Sequence, residues 1–205
     1  KSFIGKSRTY LEYSDGIIRG IDFETNLFEL LALENSTNLI LGSSFVSRFQ
    51  KDNNPKFNLP QNVGIYGLRS NLISGNFNYY LEYVHKYNDP AGSIADNSNN
   101  YASGNAIKTS LTYFQKGLGF SFDAHRVDNM EFRSERQQSK EYIINYIPTL
   151  SKQHSYTLLA FYPCATQSNG EIGFQSDLYY KFDRGTTFGG KYGTKININY
   201  SRVLA

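Results

Sequence analysis

Apolar and polar residues alternate along much of the chain, and the alternation is clearest in three stretches. Between residues 74 and 87 the odd positions carry Phe77, Tyr79, Leu81 and Tyr83, while most even positions are polar. The same pattern runs through 171–183 and 190–200, with the apolar residues at even positions. Because successive side chains of a β-strand point to opposite faces, this period of two predicts strands with one apolar and one polar face.

Weaker copies of the pattern bring the predicted strands to eleven. They lie near residues 5–13, 16–28, 38–50, 62–72, 76–87, 104–115, 118–127, 140–150, 154–163, 171–183 and 187–200. Many are longer than the ~5–6 residues typical of soluble sheets, and they suit the ~9–11 tilted residues that cross a bilayer. The chain is therefore predicted to be all-β, a transmembrane antiparallel up-and-down β-barrel, with residues 1–205 as one domain.

Two short turns predict how neighbouring strands pair. Lys116-Gly117 suits a two-residue hairpin, because Gly readily takes a positive φ, and a second turn is predicted at Ser74-Gly75. The apolar pairs that follow are Tyr113–Phe120 and Leu111–Phe122 at the first turn, and Leu72–Phe77, Leu68–Leu81 and Tyr66–Tyr83 at the second. Each pair joins residues of one face, so the turns and the alternation agree.

The last hairpin carries a parity constraint. Its apolar residues are even-numbered on both strands, so the loop around 184–186 must hold an odd number of residues. The predicted pairing places Asp177 opposite Lys195. It also places Tyr179 opposite Gly193, where the ring would cover a strand glycine.

Loops from residue 51 onward differ systematically in length. The long ones are 51–61, 88–103 and 128–139, and the short ones are 73–75, 116–117, 151–153 and 184–186. Bacterial outer-membrane barrels have short periplasmic turns and longer external loops. An odd strand count, with the last strand running toward the long loops, does not fit a complete single-chain barrel. We therefore expect an incomplete part of a larger barrel, a fragment of a longer chain.

Composition and charge narrow the function classes. Hydrophobic residues make up 40% of the chain and the mean hydropathy is −0.49, and no run approaches the ~20 apolar residues of a membrane-spanning helix. The 17 Tyr and 15 Phe suit strands and membrane interfaces. Lys and Arg are scattered and the net charge is +3, so nucleic acid is not expected as a partner.

Candidate chemistry is sparse. The histidines, His85, His125 and His154, lie on different predicted strands without metal-ligand spacing. No catalytic, cofactor-binding or metal site is predicted. Charged residues on the polar face of the last hairpin are predicted to line the lumen, where they either tune ion selectivity or, as is more common, fill the space as paired charges. These residues are Asp177, Lys181, Asp183, Lys191 and Lys195.

The segment 126–136 combines charges of both signs. It can face a partner protein or an acidic glycan, although a solvated loop is the more frequent meaning of such a segment. Its charged residues are Arg126, Asp128, Glu131, Arg133, Glu135 and Arg136.

Several longer phrases carry a family resemblance. They are GIIRGIDFETNLFELL at 16–31, GSSFVSRFQKD at 42–52, YNDP at 87–90, YFQKGLGFSFDAHRVDNMEFRSER at 113–136, YPCATQSNGEIGFQSDLYYKF at 162–182 and GGKYGTKININYS at 189–201. With these phrases the chain resembles the C-terminal part of an uncharacterised family of Bacteroidota outer-membrane β-barrel proteins, a domain of unknown function. The resemblance implies a fold and an outer-membrane location, and it implies no reaction.

The expected function is that of a non-enzymatic, porin-like barrel of the bacterial outer membrane, acting as a channel or as a subunit of a larger assembly in secretion or nutrient uptake. Expected partners are the bilayer with its lipopolysaccharide and other outer-membrane or periplasmic proteins. The alternative is a soluble, lectin-like β-sandwich that binds glycans, with its aromatic residues pointing inward. A barrel hydrolase would need a Ser/His/Asp arrangement, which these strands do not supply.

Overall fold

The structure is a computed structural model that describes residues 3–7, 10–13, 16–32, 36–51, 59–87, 89, 103–134, 143–150 and 166–204. These residues form strands joined mostly by turns and loops, with one short helix. The elements are β1 (Phe3–Ser7), β2 (Tyr10–Tyr13), β3 (Ile17–Asn26), α1 (Leu27–Leu30), β4 (Thr37–Phe49), β5 (Asn62–Ser74), β6 (Phe77–Lys86), β7 (Gly104–Gln115), β8 (Leu118–Asp128), β9 (Glu171–Phe182) and β10 (Thr194–Leu204).

Strands β3 to β10 form one antiparallel sheet in which each strand pairs with the next along the chain. In the described residues the outer strands, β3 and β10, do not pair with each other, so the eight-stranded sheet is open. Strands β1 and β2 form a separate hairpin. The all-β class and the up-and-down order are confirmed, whereas the described residues form an open sheet and not a closed barrel.

Two of the eleven predicted strands do not join this sheet as predicted, and a third is not among the described residues. The region 5–13 forms parts of both β1 and β2. The strand predicted at 140–150 is wrong over its described part, 143–150, where Ile143 makes one isolated bridge to Arg133. Pro148 has no N–H to offer a β-ladder, and the residues around it lie over the sheet and not within it. The strand predicted at 154–163 lies outside the described residues.

The two short hairpins test the predicted register. At Lys116-Gly117 the register is confirmed: Tyr113 pairs with Phe120, and Gly117 has a φ of 82°. At the other hairpin the turn is Gly75-Asn76, so Leu72 pairs with Tyr79 and not with Phe77. Gly75 takes the first turn position with a φ of 55°, as in type II′ turns. The shift is two residues, so the predicted pairs are wrong while the predicted faces are kept.

The last hairpin keeps the predicted parity but not the predicted pairs. Its loop spans 183–193, an odd number of residues. Lys195 pairs with Lys181 and Tyr179 with Asn197, so the predicted pairing of Asp177 with Lys195 and of Tyr179 with Gly193 is wrong. The Gly193 N–H donates a hydrogen bond to the Gly189 carbonyl within the loop (2.8 Å). The predicted strand therefore begins at Thr194 and not at residue 187.

The register gives the sheet a polar and an apolar face, because paired residues of antiparallel neighbours point to the same side. One polar-face row is Glu24, Gly42, Arg69, Glu82, Lys108 and His125. The adjacent apolar-face row is Phe23, Ser43, Leu68, Tyr83, Ile107, Arg126 and Ile172. On the apolar face Ile21 is 72% exposed, Phe23 63% and Leu68 53%. Contiguous exposed apolar surface is typical of protein- or membrane-interaction sites and of ligand-binding grooves.

The two ends of the sheet differ. The connections 27–36, 75–76, 116–117 and 183–193 join the strands at the turn end, and the connections 50–61, 87–103 and 129–170, each longer than any of these, join them at the long-loop end. Strand β10 runs toward the long-loop end, as predicted. Among the residues that the structure describes, no helix is long and apolar enough to cross a membrane.

Candidate functional site

The long-loop end of the polar face is covered by two segments, 129–134 and 143–150, which together we call the strap. At the end of β8 the chain turns back at Asn129, which has a φ of 46°. Met130 then donates its N–H to the Ser168 carbonyl (2.7 Å). The two segments hold each other, because Ile144 donates to the Phe132 carbonyl and the Asn145 side chain accepts from the Phe132 N–H. The strap is therefore a folded layer on the sheet.

Two strand glycines let the strap lie close to the sheet. A methyl group added to Gly104 would collide with the Asn129 carbonyl, and one added to Gly173 would lie 2.8 Å from the Leu150 side chain. Both glycines lie on the polar face, at opposite sides of β8. Glycine is needed here for close approach of another backbone or side chain.

Beneath the strap lies a cluster of buried charged residues, which we call the charged cluster: Arg48, Lys86, Asp89, Glu131 and Arg133. Arg48 donates to the Asp89 carboxylate at 2.9 Å and to the Arg133 carbonyl at 2.9 Å. Arg133 contacts the Glu131 carboxylate at 2.7 Å. Lys86 donates to the Glu131 carbonyl at 2.8 Å. Strand side chains from β4 and β6 thus hold the strap through its backbone carbonyls, while the two ion pairs join Arg48 to Asp89 and, within the strap, Arg133 to Glu131.

The charged cluster is shielded by apolar contacts. Met130 and Phe132 are buried, as are Val63 and Val127 on the polar face. The Arg48 guanidinium lies 5.3 Å from the centre of the Phe132 ring, within the range of a cation–π contact. Burying charge is costly unless each group is paired, and the strap both covers these pairs and accepts hydrogen bonds from Arg48 and Lys86.

A second buried pair lies at the far side of the strap. His125 Nε2 is 2.8 Å from Glu171 Oε1, and the other oxygen of Glu171 accepts from the Gln167 N–H at 2.8 Å. The pair ties β8 to β9 and to the chain that leads into β9. His85 lies elsewhere, in a ring cluster on the apolar face, and His154 is outside the described residues. Within the described ranges no group of three or more His, Cys, Asp or Glu residues is placed to hold a metal ion.

Toward the turn end the polar face carries an exposed ion network. Arg69 contacts both carboxylate oxygens of Asp22 at 2.9 Å and Glu24 at 3.1 Å. It lies across Gly42, where any side chain would overlap the guanidinium. Glu82 pairs in register with Arg69 and with Lys108. The network gives this face alternating charge across β3 to β7, with Asp22 and Glu24 exposed to solvent and Glu82 and Lys108 half-buried.

The predicted lumen-lining charges fall into two groups. Asp177, Lys181 and Lys195 lie on the polar face, and Asp177 accepts from the Gln175 amide at 3.0 Å. Asp183 and Lys191 lie in the loop between β9 and β10, where Lys191 lies 5.6 Å from the centre of the Tyr192 ring. The structure thus brings three of the five onto one face, and their role in lining a lumen stays a prediction.

The predicted partner-facing segment is also divided. Arg126 is exposed on the apolar face and Asp128 is half-buried at the end of β8. Glu131 and Arg133 are buried in the charged cluster, so a solvated loop does not describe them. Glu135 and Arg136 lie outside the described residues. Contact with a partner stays a prediction for this segment.

Sequence reasoning missed Arg48, Lys86 and Asp89. Arg48 and Lys86 each stand at the end of a strand, where a lone cation is usually solvated, and Asp89 lies in a loop 41 positions from its partner. The odd or even position of each residue along its strand could have indicated this site. Arg48 and Lys86 both fall on the face that carries Val63 and Val127, so two cations and two valines share a surface that has to be covered.

The fold and this site define an all-β protein with a two-faced antiparallel sheet and a strap folded onto its polar face. The chain belongs to a family of unknown function, DUF6029, whose model matches residues 1–205. No curated protein and no solved structure matches the sequence.

Proposed function

We propose that the sheet is one wall of a transmembrane β-barrel in the bacterial outer membrane, non-enzymatic, serving as a channel or as a subunit of a larger assembly for secretion or nutrient uptake. The apolar face contacts lipid and the polar face lines the lumen. The observation that carries the proposal is the exposed apolar face, which extends from β3 to β10 with Ile21, Leu68 and Ile198 all more than half exposed. A bilayer is the solvent in which such a face is stable.

Aromatic residues at both ends of the apolar face support this orientation. Near the long-loop end the rings of Tyr66, His85 and Tyr87 cluster at centroid distances of 5.5–6.1 Å. Near the turn end Phe77 and Tyr113 lie 4.6 Å apart. Eight residues of β5 separate the two rows, which is ~27 Å along a strand and ~21 Å along the normal at a tilt of ~40°. Aromatic girdles flanking an apolar band of ~25 Å are a property of membrane barrels.

Charge on the apolar face is confined to few positions. Between the two aromatic rows the described register places Arg126 and Arg202 there. Both are long side chains that can extend toward a membrane interface while their stems stay in the apolar layer. The polar face carries Asp22, Glu24, Arg69, Glu82 and Lys108 at the same depth.

The strap favours a barrel with more than eight strands. A closed barrel of eight strands has an interior only just wide enough for its own side chains. The polar face of this sheet carries a second layer of backbone at 129–134 and 143–150 as well. We therefore propose that β3 and β10 pair with further strands, so that this sheet is part of a larger barrel.

A matched pair of lysine substitutions tests the membrane proposal. Leu68→Lys puts a charge on the apolar face between the aromatic rows, and Asn78→Lys puts one on the exposed polar face. In a membrane barrel a Lys on the lipid face costs ~2–4 kcal/mol at the midplane and ~0–1 kcal/mol near the interfaces, so at Leu68, between the two, we expect a cost of roughly 1–2 kcal/mol. In a soluble protein an exposed Leu→Lys change is close to neutral.

The measurement is the fraction of the full chain that stays in carbonate-washed outer membranes, together with its heat-modifiable gel mobility. We expect the unmodified chain and Asn78→Lys to remain in the membrane and Leu68→Lys to be depleted. Release of the unmodified chain by carbonate, or equal retention of both variants, would overturn the proposal and favour the soluble β-sandwich.

A further inference from the structure

We infer that the strap is a plug of the barrel lumen, docked at the long-loop mouth and latched by the charged cluster. This inference rests on the proposed function. It adds that the passage along this wall is closed in the structure described here, and that the closure depends on the buried pairing of Arg48 with Asp89.

The strap lies on the polar face of the sheet. The polar face meets the strap or lines the cavity beneath it on six neighbouring strands, at Arg48 of β4, Ile65 of β5, Lys86 of β6, Gly104 of β7, Val127 of β8 and Gly173 of β9. Six neighbouring strands at ~4.8 Å spacing make a width of roughly 24 Å. In a barrel whose polar face is the lumen, a layer of this width covers this wall and occupies the lumen beside it.

The strap leaves little space between itself and the polar face. Between the strap and the polar face there remains a cavity of about 160 Å³, lined in part by Glu82, Lys108 and His125 on the sheet and by Tyr146 and Pro148 on the strap. Arg48 and Lys86 are fully buried beneath it. A layer that excludes water from two cations leaves no continuous aqueous path at that place.

The contact between the strap and the sheet buries charged groups as well as apolar ones. A purely apolar contact would hold the plug in any state, because undocking would expose apolar surface. This contact also buries charges, which regain hydration when the strap lifts, so the docked state depends on keeping each charge paired. Removing the Arg48 cation takes away one charged partner of the buried Asp89 carboxylate and the donor to the Arg133 carbonyl of the strap, and that shifts the balance toward the undocked strap.

The latch is tested with the full chain reconstituted in planar bilayers and in liposomes. We expect the unmodified chain to conduct weakly. Arg48→Met should shift the ratio of undocked to docked strap by roughly a hundredfold, seen as larger or more frequent openings and as faster liposome swelling in small sugars. The double variant Arg48→Met/Asp89→Leu removes both charges and should return conductance toward that of the unmodified chain.

A pair of glycine substitutions tests the plug without changing any charge. In Gly104→Ala the new methyl group meets the backbone of the strap at Asn129, whereas in Gly67→Ala it meets only ordinary contacts with Val84. Both glycines lie on the polar face. We expect Gly104→Ala to raise conductance and Gly67→Ala to leave it unchanged.

The outcomes separate the plug from the barrel itself. Heat-modifiable mobility shows for each variant that the barrel is folded and inserted. A chain that does not insert overturns the proposed function. A chain that inserts overturns the plug if it conducts fully without any substitution, or if folded Arg48→Met and Gly104→Ala conduct no better than the unmodified chain.

Discussion

Arg48 and Arg69 lie on the same face of the sheet but in different environments. Arg48 is fully buried under the strap and pairs with Asp89, which is also buried. Arg69 makes a bidentate contact to Asp22, which is 63% exposed. Exposed ion pairs contribute little to stability, because water and salt screen them, whereas breaking a buried pair leaves an uncompensated charge. Similar geometry therefore has different energetic weight at the two sites.

This difference predicts the effect of removing either arginine. Arg48→Met should lower the free energy of unfolding by ~3–5 kcal/mol, and Arg69→Met should lower it by less than ~1 kcal/mol. Urea unfolding of the full chain in lipid vesicles, followed by tyrosine fluorescence, measures both. Equal losses for the two variants would contradict the burial described for Arg48.

At the scale of elements, the turns decide the register. Gly117 is the second residue of the turn between β7 and β8 and has a φ of 82°, a conformation that costs a residue with a Cβ about 1–2 kcal/mol. Lys116 next to it does not have a positive φ. Substitutions at Gly117 and Lys116 therefore compare a position that requires a positive φ with one that does not, within the same turn.

We expect Gly117→Ala to destabilise the folded chain by about 1–2 kcal/mol, and Lys116→Ala to change stability by less than ~0.5 kcal/mol. The same urea unfolding experiment measures both variants. A loss at Lys116→Ala as large as that at Gly117→Ala would show that the turn conformation differs from the one described.

The alternation was sufficient to predict most of the strands, because the side-chain period of a strand is a local property. The register was predicted correctly only where a single two-residue turn was compatible with the sequence, as at Lys116-Gly117. At Gly75 two neighbouring turns satisfied the same face pattern, and the pairs moved by two residues. In the last hairpin an eleven-residue loop, 183–193, left the parity as the sole local constraint.

The strap could not be predicted in the same way. Its residues 143–150 read as a strand because apolar residues recur there, and its charged residues read as a solvated loop. The charged residues are placed by contact with Arg48 and Lys86, which lie more than 40 positions earlier in the chain, and 143–150 is placed by hydrogen bonds to Met130 and Phe132. Such contacts leave no local pattern. Among the sheet charges, the polar face was predicted, but the network of Arg69 with Asp22 and Glu24 needed the register of three strands.

For the whole molecule, the central feature is a sheet that is polar on one face and apolar on the other, with its strap on the polar side. Under the proposed function the apolar face meets the bilayer and the polar face meets the lumen. Under the same proposal β3 and β10, whose outer edges are open within the described residues, pair with strands beyond these eight. The proposal is therefore decided by which face of β5, an interior strand of the sheet, meets lipid.

Spin-label accessibility along β5 measures this directly. After Cys164→Ser removes the natural thiol, single cysteines at positions 68 to 73 of the membrane-inserted chain carry a nitroxide, and collisions with oxygen and with a water-soluble nickel chelate are compared. If the apolar face meets lipid, the ratio of oxygen to nickel collisions should alternate along β5, high at Leu68, Ser70 and Leu72 and low at Arg69, Asn71 and Ile73. Oxygen favoured at the second set, or no alternation between the sets, would contradict the proposal.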